Sequence, residues 1–321
     1  MTKIRVGVLR GGVGHGYDMS LKTGANVLKN LPEKYYAEDV LLTKDGTWHV
    51  GGVPISLEKL ACKVDVIFNC LHGEYGEDGG VQKELNRFSI PYTGSRVLAS
   101  VLATNKPFAK EIAQKAGILT PRCMHVEKKE DINQRSHDIF HSLSFPLVVK
   151  PARLGSSVGV SFVENYEDLV VAIHKALLLS DSILVEEYIK GREATCVIID
   201  KFRDNDTYAL PVVEIQMPGG IQIFDTELKH SGNAIKICPG NFNKDEKKRI
   251  MEAAKEMHSA LELKHYSRSD FILSPRGVYF LEANSLPELS EKSLLPKALD
   301  AVGSNLPEFL DHILMRALEE K

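Results

Sequence analysis

The chain has 321 residues, of which 43% are hydrophobic and 26% charged, and its formal net charge is −3. A chain of this length is longer than one ordinary hydrophobic core serves, so two or three domains or one large α/β unit is expected. The composition argues against disorder, and the slightly acidic balance argues against nucleic acid as a partner. Five scattered cysteines without a CxxC pair favour free thiols in a reducing compartment over a disulfide framework or a zinc site.

The N-terminal residues do not resemble a targeting signal. The apolar run from Met1 to Leu9 is short, is interrupted by Lys3 and Arg5, and lacks a cleavage site. No apolar stretch of the sequence reaches the length of a membrane span. We therefore expect a cytoplasmic protein without a membrane partner.

The first part of the chain alternates strands and helices in the manner of an open parallel sheet. Ile4–Leu9 predicts a strand, a Gly-rich turn follows at residues 11–16, and a helix is expected to begin near Asp18, which could cap it. Residues 64–69 predict a second strand, which ends in the polar loop 71–80. Ligands of such sheets bind at the carboxyl ends of the strands, so both loops are candidate site segments.

The middle of the chain begins after Pro91–Ser95, which predicts the end of the first domain. Helices dominate to about Gly117. Strands are predicted after that at residues 146–151, 158–163 and 183–188, with a helix at 166–179. Further strands and two amphipathic helices follow, and in one of these helices Ile250, Ala254, Met257 and Leu261 form a single apolar face that predicts core packing.

The loop between the first two of these strands is a candidate phosphate-binding loop. Gly155 and Gly159 would let backbone N–H groups approach phosphate oxygens, and Ser156 and Ser157 would add hydroxyl donors. The loop lies between two strands and the GxxxxGKS or GxxxxGKT pattern is absent, so it is not a Walker loop. It could fold over a nucleotide as a lid, although a plain hairpin turn fits the pattern equally well. Lys150, at the end of an apolar strand, would need an anion such as phosphate if it is partly buried.

The C-terminal part carries a candidate magnesium site. Glu282 and Asn284 are two residues apart at the end of a predicted strand, so their side chains share one face. Asp270, on the neighbouring predicted strand, would complete a cluster of the hard oxygen ligands that Mg²⁺ prefers. Alone, such a pattern more often reflects ordinary acids at strand ends. Its combination with the phosphate loop favours a nucleotide site.

The Gly-rich turn after the first strand raises the question of a dinucleotide site. Its glycines stand at positions 11, 12, 14 and 16, and no register gives GxGxxG, so the spacing that serves a pyrophosphate is missing. A nicotinamide-dependent oxidoreductase is therefore disfavoured. A nucleotide-binding protein without turnover remains an alternative from another class.

In their order and spacing, these segments resemble the D-alanine–D-alanine ligase family over essentially the full length of the chain. The matching stretches are Arg10–Gly12, His72-Gly73 with residues 76–79, Pro91–Ser95, Val149–Pro151 with Gly155–Gly159, Arg268 with Asp270, and Leu281–Asn284. Each stretch is weak alone, and the combination is specific. The resemblance implies an α/β fold, α+β in parts, with three ATP-grasp domains at residues 1–95, 96–186 and 187–321, the first an open parallel sheet.

The resemblance also implies an activity. The carboxylate of one D-alanine would attack the γ-phosphate of ATP to give an acyl phosphate, and the amine of a second D-alanine would then displace phosphate, forming a dipeptide for peptidoglycan synthesis. The cofactors would be ATP and two Mg²⁺ ions, for which Mn²⁺ could substitute. The partners would be small amino-acid substrates, and the protein would form a homodimer. A related dipeptide or depsipeptide ligase with another amino-acid or hydroxy-acid specificity is the alternative.

Residue roles follow from the same resemblance. The phosphates of the nucleotide would be bound by Lys106, Lys150, Ser156 and Ser157. The adenine would be lined by Glu186, Glu187 and Ile189, and the ribose would be bound by Glu193. Asp270, Glu282 and Asn284 would hold the metal ions. Arg268 would stabilise the transferring phosphoryl group, Ser293 and Leu294 would receive the carboxylate of the second substrate, and His72 would contact substrate. Lys229 and His230 would belong to a mobile lid.

Three positions depart from the family pattern, all near the amino-acid site. Gly16 replaces a Glu that binds the first ammonium group, His230 replaces a lid Tyr, and Glu288 replaces a Gly whose N–H serves the oxyanion hole. In the family, that Glu, the loop Ser (Ser156 here) and the lid Tyr form a hydrogen-bonded trio, of which two members have changed. We expect a remodelled amino-acid pocket with intact ATP chemistry, in which Glu288 or Asp18 replaces the missing ammonium partner. Compensated neutral drift is the alternative.

The lid histidine generates a prediction about pH. Some depsipeptide-forming relatives carry a His in the lid, and a protonated His230 would repel an incoming ammonium group. With D-alanine and D-lactate offered together, the share of D-lactate-type product should rise below about pH 6.5, the reference pKa of histidine. A product ratio that stays flat with pH would contradict this, and product masses measured at several pH values provide the check.

Overall fold

The computed structural model describes residues 3–155, 158–216 and 235–320. The N-terminal part of this structure forms a five-stranded sheet with the order β4-β3-β2-β1-β5. Its elements are β1 (Ile4–Gly11), α1 (Tyr17–Asn30), β2 (Tyr35–Leu42), β3 (Trp48–Val50), β4 (Val53–Pro54), α2 (Leu57–Lys63), β5 (Val66–Asn69) and α3 (Gly80–Arg87). Strand β1 pairs in parallel with β2 and β5, which confirms the predicted parallel sheet, and β3 and β4 extend it as antiparallel strands.

The start of α1 differs from the prediction. The helix begins at Tyr17, and Gly16 occupies the N-cap position. The expectation that Asp18 caps the helix was wrong, because Asp18 lies within the first turn. Its negative charge is still favourable there, near the positive end of the helix dipole.

The middle of the chain forms two helices followed by a four-stranded antiparallel sheet with the order β6-β9-β7-β8. The elements are α4 (Val97–Thr104), α5 (Lys106–Lys115), β6 (Cys123–Glu127), α6 (Ile132–Ser142), β7 (Leu147–Pro151), β8 (Ser161–Val163), α7 (Tyr166–Leu179) and β9 (Ser182–Glu187). The three predicted strands and the predicted helix are all present. Strand β8 begins three residues later than expected.

The C-terminal part forms a second antiparallel sheet with the order β13-β12-β10-β14-β15, and β11 pairs with β10. The elements are β10 (Arg192–Asp200), a 3-10 turn (Phe202–Asp204), β11 (Thr207–Ala209), β12 (Val213–Gln216), β13 (Ile235–Ile237), α8 (Lys244–Ala260), β14 (Tyr266–Ser274), β15 (Gly277–Asn284), α9 (Leu294–Asp300) and α10 (Leu306–Glu319). The apolar face of α8 is buried, as predicted, and Asn243 and Glu246 form a capping box at its start.

Three groups of helices pack against the sheets. Apolar side chains of α10, such as Phe309 and Ile313, pack in one core with Val8 and Phe68 of the five-stranded sheet and Tyr266 of β14. Helices α4 and α5 pack through a row of alanines on the six-stranded sheet, whereas α6 and α7 cover the four-stranded sheet. The packing of α5 brings its first residue, Lys106, beside the end of β15. Within the described residues, no helix has the length and apolar character that a membrane span requires.

Candidate active site

A cavity of about 970 Å³ lies where the three sheets meet. Its volume is near the upper end of the range for ligand pockets, so it has room for more than one small molecule. The predicted site residues that line it are Asp18, His72, Lys106, Glu193, Arg268, Asp270, Glu282, Asn284, Glu288, Ser293 and Leu294. Segments far apart in the sequence therefore contribute to a single cleft.

The pairing of β14 with β15 creates the oxygen-rich wall of this cleft. The antiparallel register sets Asp270 opposite Glu282 and Arg268 opposite Asn284. The Arg268 guanidinium donates to both Asp270 oxygens, from Nε at 2.9 Å and from Nη2 at 2.8 Å. The Asn284 side-chain oxygen accepts a hydrogen bond from the backbone N–H of Leu286 at 2.9 Å, which fixes its orientation.

The charge state of Arg268 is secured by its neighbours. Burial alone would lower the pKa of Arg268, but the charge and hydrogen bonds of Asp270, with smaller contributions from Glu282 and Glu77, outweigh it and raise the pKa above its ordinary value. A cation is therefore held permanently beside the acids. Such an arrangement suits a phosphoryl group, whose negative charge must be neutralised during transfer.

Buried Lys106 lies on the opposite side of the cleft, whereas two further buried lysines, Lys110 and Lys150, are not among the described residues that line it. Lys106 Nζ donates to the carbonyl oxygen of Leu154 at 2.6 Å and lies 3.3 Å from Glu282 Oε2. Lys150 Nζ lies 2.9 Å from Glu186 Oε2, and Lys110 Nζ lies 3.0 Å from Glu186 Oε1. Burial opposes ionisation of Glu186, but the charges of Lys110 and Lys150 prevail and lower its pKa.

Lys110 was missed by the sequence analysis. The signal was present, because Lys106 and Lys110 are four residues apart and so share one face of α5. Burial lowers the pKa of Lys110, and the charge of Glu186 opposes this effect. A lysine that is only 2% exposed needs such an anion beside it.

The phosphate-loop prediction is only partly described by the structure. Gly155 and Val158 line the cavity, whereas Ser156 and Ser157 lie outside the described residues, as do Lys229 and His230. Gly159 has φ +74°, and a Cβ there would lie 2.8 Å from Leu179 Cδ1 and 3.0 Å from Pro151 Cγ. Glycine alone adopts this positive φ without strain and has no Cβ to collide with these two side chains.

The proposed adenine contacts are divided between two faces of β9. Glu186 faces the buried lysines, whereas Glu187 faces away and accepts a hydrogen bond from the backbone N–H of Arg122 at 3.0 Å. The side chain of Ile189 is only 4% exposed. Lys150, Glu186, Glu187 and Ile189 are not among the described residues that line the cavity.

The Gly16 turn packs directly on the His72 loop. A Cβ at Gly16 would lie 2.1 Å from the carbonyl oxygen of His72 and 2.5 Å from its carbonyl carbon. The His72 ring is itself held by Thr23 Oγ1, 2.9 Å from Nε2, and by Glu77 Oε1, 3.4 Å from Nδ1. This backbone contact excludes any side chain at position 16 in the present arrangement.

Glu288 enters the cleft from the segment after β15. Its side chain accepts a hydrogen bond from Ser290 Oγ, and its backbone carbonyl accepts one from Ser293 Oγ at 2.8 Å. Ser293 Oγ also lies 2.7 Å from the carbonyl oxygen of Ser290. The short segment is thus folded on itself, and it presents a carboxylate beside Ser293 and Leu294.

The cleft between two antiparallel sheets, with buried Lys106 on one side and acids with an arginine on the other, is that of an ATP-dependent ligase of the ATP-grasp class. Residues 52–95 match the family model of the D-ala D-ala ligase N-terminus, and residues 112–315 match that of the D-ala D-ala ligase C-terminus. The chain belongs to the D-alanine–D-alanine ligase family.

Individual relatives support this assignment over the full length. A D-alanine–D-alanine ligase of Geobacter sulfurreducens is 36% identical over 98% of this chain and 94% of that protein. The crystal structure of the Bacillus anthracis D-alanine–D-alanine ligase complexed with ATP is similar with a TM-score of 0.82 at 30% identity, covering 99% of this chain and 98% of that one. The VanG D-Ala:D-Ser ligase from Enterococcus faecalis has a TM-score of 0.86 at 25% identity, covering 98% and 100%.

The contact between Gly16 and the His72 carbonyl predicts that the family's glutamate cannot simply be restored. Gly16→Glu should destabilise the protein by about 2 kcal/mol or more, because a rigid backbone oxygen would have to move. Chemical denaturation measures this change. Gly14→Ala is the milder control, because the three atoms nearest to its Cβ all belong to the side chain of Glu74 and none to the backbone. A Gly16→Glu protein as stable as the parent, with a lower KM for D-alanine, would contradict the prediction.

Proposed function

We propose that this protein is an ATP-dependent D-alanine–D-alanine ligase that supplies a dipeptide for peptidoglycan precursors. The observation that carries the proposal is the cleft itself, in which the acids and the arginine of β14 and β15 lie beside buried Lys106 of α5. Full-length similarity to D-alanine–D-alanine ligases supports the choice of substrate. A cytoplasmic location and a homodimer are part of the same family-based proposal.

The nucleotide would bind between the four-stranded and six-stranded sheets. Lys106 and Lys150 would contact its phosphates, together with the loop that contains Ser156 and Ser157. Glu186, Glu187 and Ile189 would line the adenine, and because the Glu187 side chain faces away from Glu186, we assign its contribution to the backbone. Glu193, which lines the cavity, would bind the ribose.

The residues at the ends of β14 and β15 fit Mg²⁺. Asp270 and Glu282 provide carboxylate oxygens at facing positions, and Asn284 provides an amide oxygen, all of which are hard ligands. We propose that they hold two ions, for which Mn²⁺ could substitute. When bound, the metal neutralises negative charge on the phosphates. Arg268 and Lys106, which pair with these acids in the structure, would then be shared with the nucleotide.

The reaction would proceed in two steps at this wall. The carboxylate oxygen of the first D-alanine forms a bond to the γ-phosphorus as the bond to ADP breaks, and Arg268 stabilises the charge of the transferring group. The amine of the second substrate, whose carboxylate would be received at Ser293 and Leu294, then attacks the acyl carbon, and phosphate leaves. Because an acyl phosphate is hydrolysed by water, the site must exclude water during the reaction; the family resemblance gives this role to the segment with Lys229 and His230, which lies outside the described residues.

The amino-acid pocket must find an ammonium partner other than residue 16. His72 is positioned near this pocket, and Glu288 and Asp18 both place carboxylates in the cavity. We favour Glu288, because the hydrogen bond from Ser290 fixes its side chain. The same departures support the alternative function, a ligase with another amino-acid or hydroxy-acid specificity, and a D-Ala:D-Ser ligase is among the similar structures.

The activity is tested with the protein, ATP, Mg²⁺ and single amino acids of both hands, by measuring phosphate release and product mass. D-Alanine alone should give phosphate and the dipeptide. Asp270→Asn should lower kcat roughly 100-fold or more, because charge stabilisation in the transition state is lost. Phosphate release only when D-serine or D-lactate is added would favour the alternative ligase. ATP binding without phosphate release under any condition would contradict both functions.

Glu288 provides a second prediction. Glu288→Ala should raise the KM for the first amino acid about ten-fold or more, because a buried ammonium group without a carboxylate is costly. Glu288→Gln separates charge from size, and Glu291→Ala, at another acid that lines the cavity, is the matched control. An unchanged KM in Glu288→Ala would show that Glu288 is not the ammonium partner.

A further inference from the structure

Two lysines of α5 are buried on the same side of the helix. Lys106 and Lys110 are 6% and 2% exposed and stand four residues apart, at positions where like charges destabilise an isolated helix. Each lysine is paired with a different acid, Lys106 with Glu282 and Lys110 with Glu186. Only Lys106 has a direct role in the proposed reaction, which leaves the burial of a second ammonium group to be explained.

Glu186 lies between two ammonium groups. Its Oε1 is 3.0 Å from Lys110 Nζ and its Oε2 is 2.9 Å from Lys150 Nζ. The strand register explains this position, because Glu186 pairs with Val148, and Lys150 two residues further lies on the same face of the sheet. Lys110 approaches from α5, so a helix and two strands supply the three charges.

The charges in this cluster do not cancel. Among the described residues, Lys106, Lys110 and Lys150 pair with two carboxylates, Glu186 and Glu282, so these five groups carry one excess positive charge. If Lys110 were absent, Glu186 would have Lys150 as its one close ammonium partner, and the pair would be neutral. The excess charge therefore exists because Lys110 shares the carboxylate.

We propose that Lys110 is a positioning residue for the nucleotide: it holds one oxygen of Glu186, so that Lys150 keeps uncompensated positive charge for the phosphates. The proposal rests on the proposed function, in which Lys150 contacts ATP. Lys110 does not touch the substrate itself. Its effect reaches the nucleotide through Glu186 and Lys150.

The first test removes the charge of Lys110. Lys110→Met should weaken ADP and ATP binding about ten-fold or more, since loss of a member of a buried charge group typically has at least this effect on affinity. The KM for ATP should rise, whereas the KM for D-alanine should stay close to the parent value. Lys115→Met, at an exposed lysine of the same helix, is the matched control and should bind nucleotide normally. Isothermal titration calorimetry with ADP gives a readout that does not depend on turnover.

The second test distinguishes charge sharing from packing. Glu186→Gln removes the carboxylate but keeps an amide oxygen, so the double variant Lys110→Met with Glu186→Gln again has a single excess positive charge. Lys110→Met should therefore change nucleotide affinity by no more than a few-fold when it is added to Glu186→Gln, and this comparison cancels any contribution of Glu186 to the adenine site. A packing role for Lys110 predicts the same loss of affinity in the Glu186→Gln background as in the parent protein, and that result would overturn the proposal. Lys110→Gln, which is polar but uncharged, serves as the single variant if the methionine variant does not fold.

Failure of this proposal can be distinguished from failure of the proposed function. A parent protein that binds neither ADP nor ATP would overturn both. A parent protein that binds nucleotide and forms the dipeptide, together with a Lys110→Met variant of equal affinity, would overturn the role of Lys110 alone. Lys110→Arg keeps the charge and should retain most of the affinity, and a loss as large as that of Lys110→Met would also contradict the charge argument.

Discussion

The pairing of β14 with β15 is the constraint on which the site depends. Its register brings Asp270 to Glu282 and Arg268 to Asn284, and a shift of one residue would turn these side chains to the opposite face. The register changes between Asp270 and Phe271, immediately after the functional positions. Beyond that point the apolar side chains of Phe271 and Phe280 are buried in the core. One hairpin therefore satisfies both packing and chemistry.

The cleft stores its charges as paired groups. Arg268 is held by Asp270 and Lys106 by Glu282, whereas Lys150 and Lys110 share Glu186, so each of these bases has an acid beside it before a ligand arrives. Buried ions without partners would cost several kcal/mol each. A negatively charged ligand that binds together with metal ions can replace these partners, so that the bases bind the ligand and the acids bind the metal. No charged group then has to be buried without a partner. The energetic cost of preparing the site is thus reduced by contacts between its own residues.

The sequence predicted features that depend on local patterns. The helix Tyr166–Leu179, the apolar face of α8 and the shared face of Glu282 and Asn284 all follow from periodicity, and the structure contains each of them. Contacts between residues that are distant in the sequence could not be predicted in this way. The closeness of Gly16 to the His72 carbonyl and of Lys110 to Glu186 depends on how separate segments meet. The four-residue spacing of Lys106 and Lys110 indicates a shared helix face, but it does not indicate which acid that face meets. The start of α1 was predicted to within one residue, whereas its cap, Gly16, was not.

The Gly16 contact has a consequence for ligand design. An acidic side chain at this position would require the loop at His72 to move, and the contacts of Thr23 and Glu77 with the His72 ring would move with it. An inhibitor whose amine is designed for a carboxylate at position 16 would meet the backbone of His72 there, whereas one that reaches toward Glu288 would meet a carboxylate that lines the cavity.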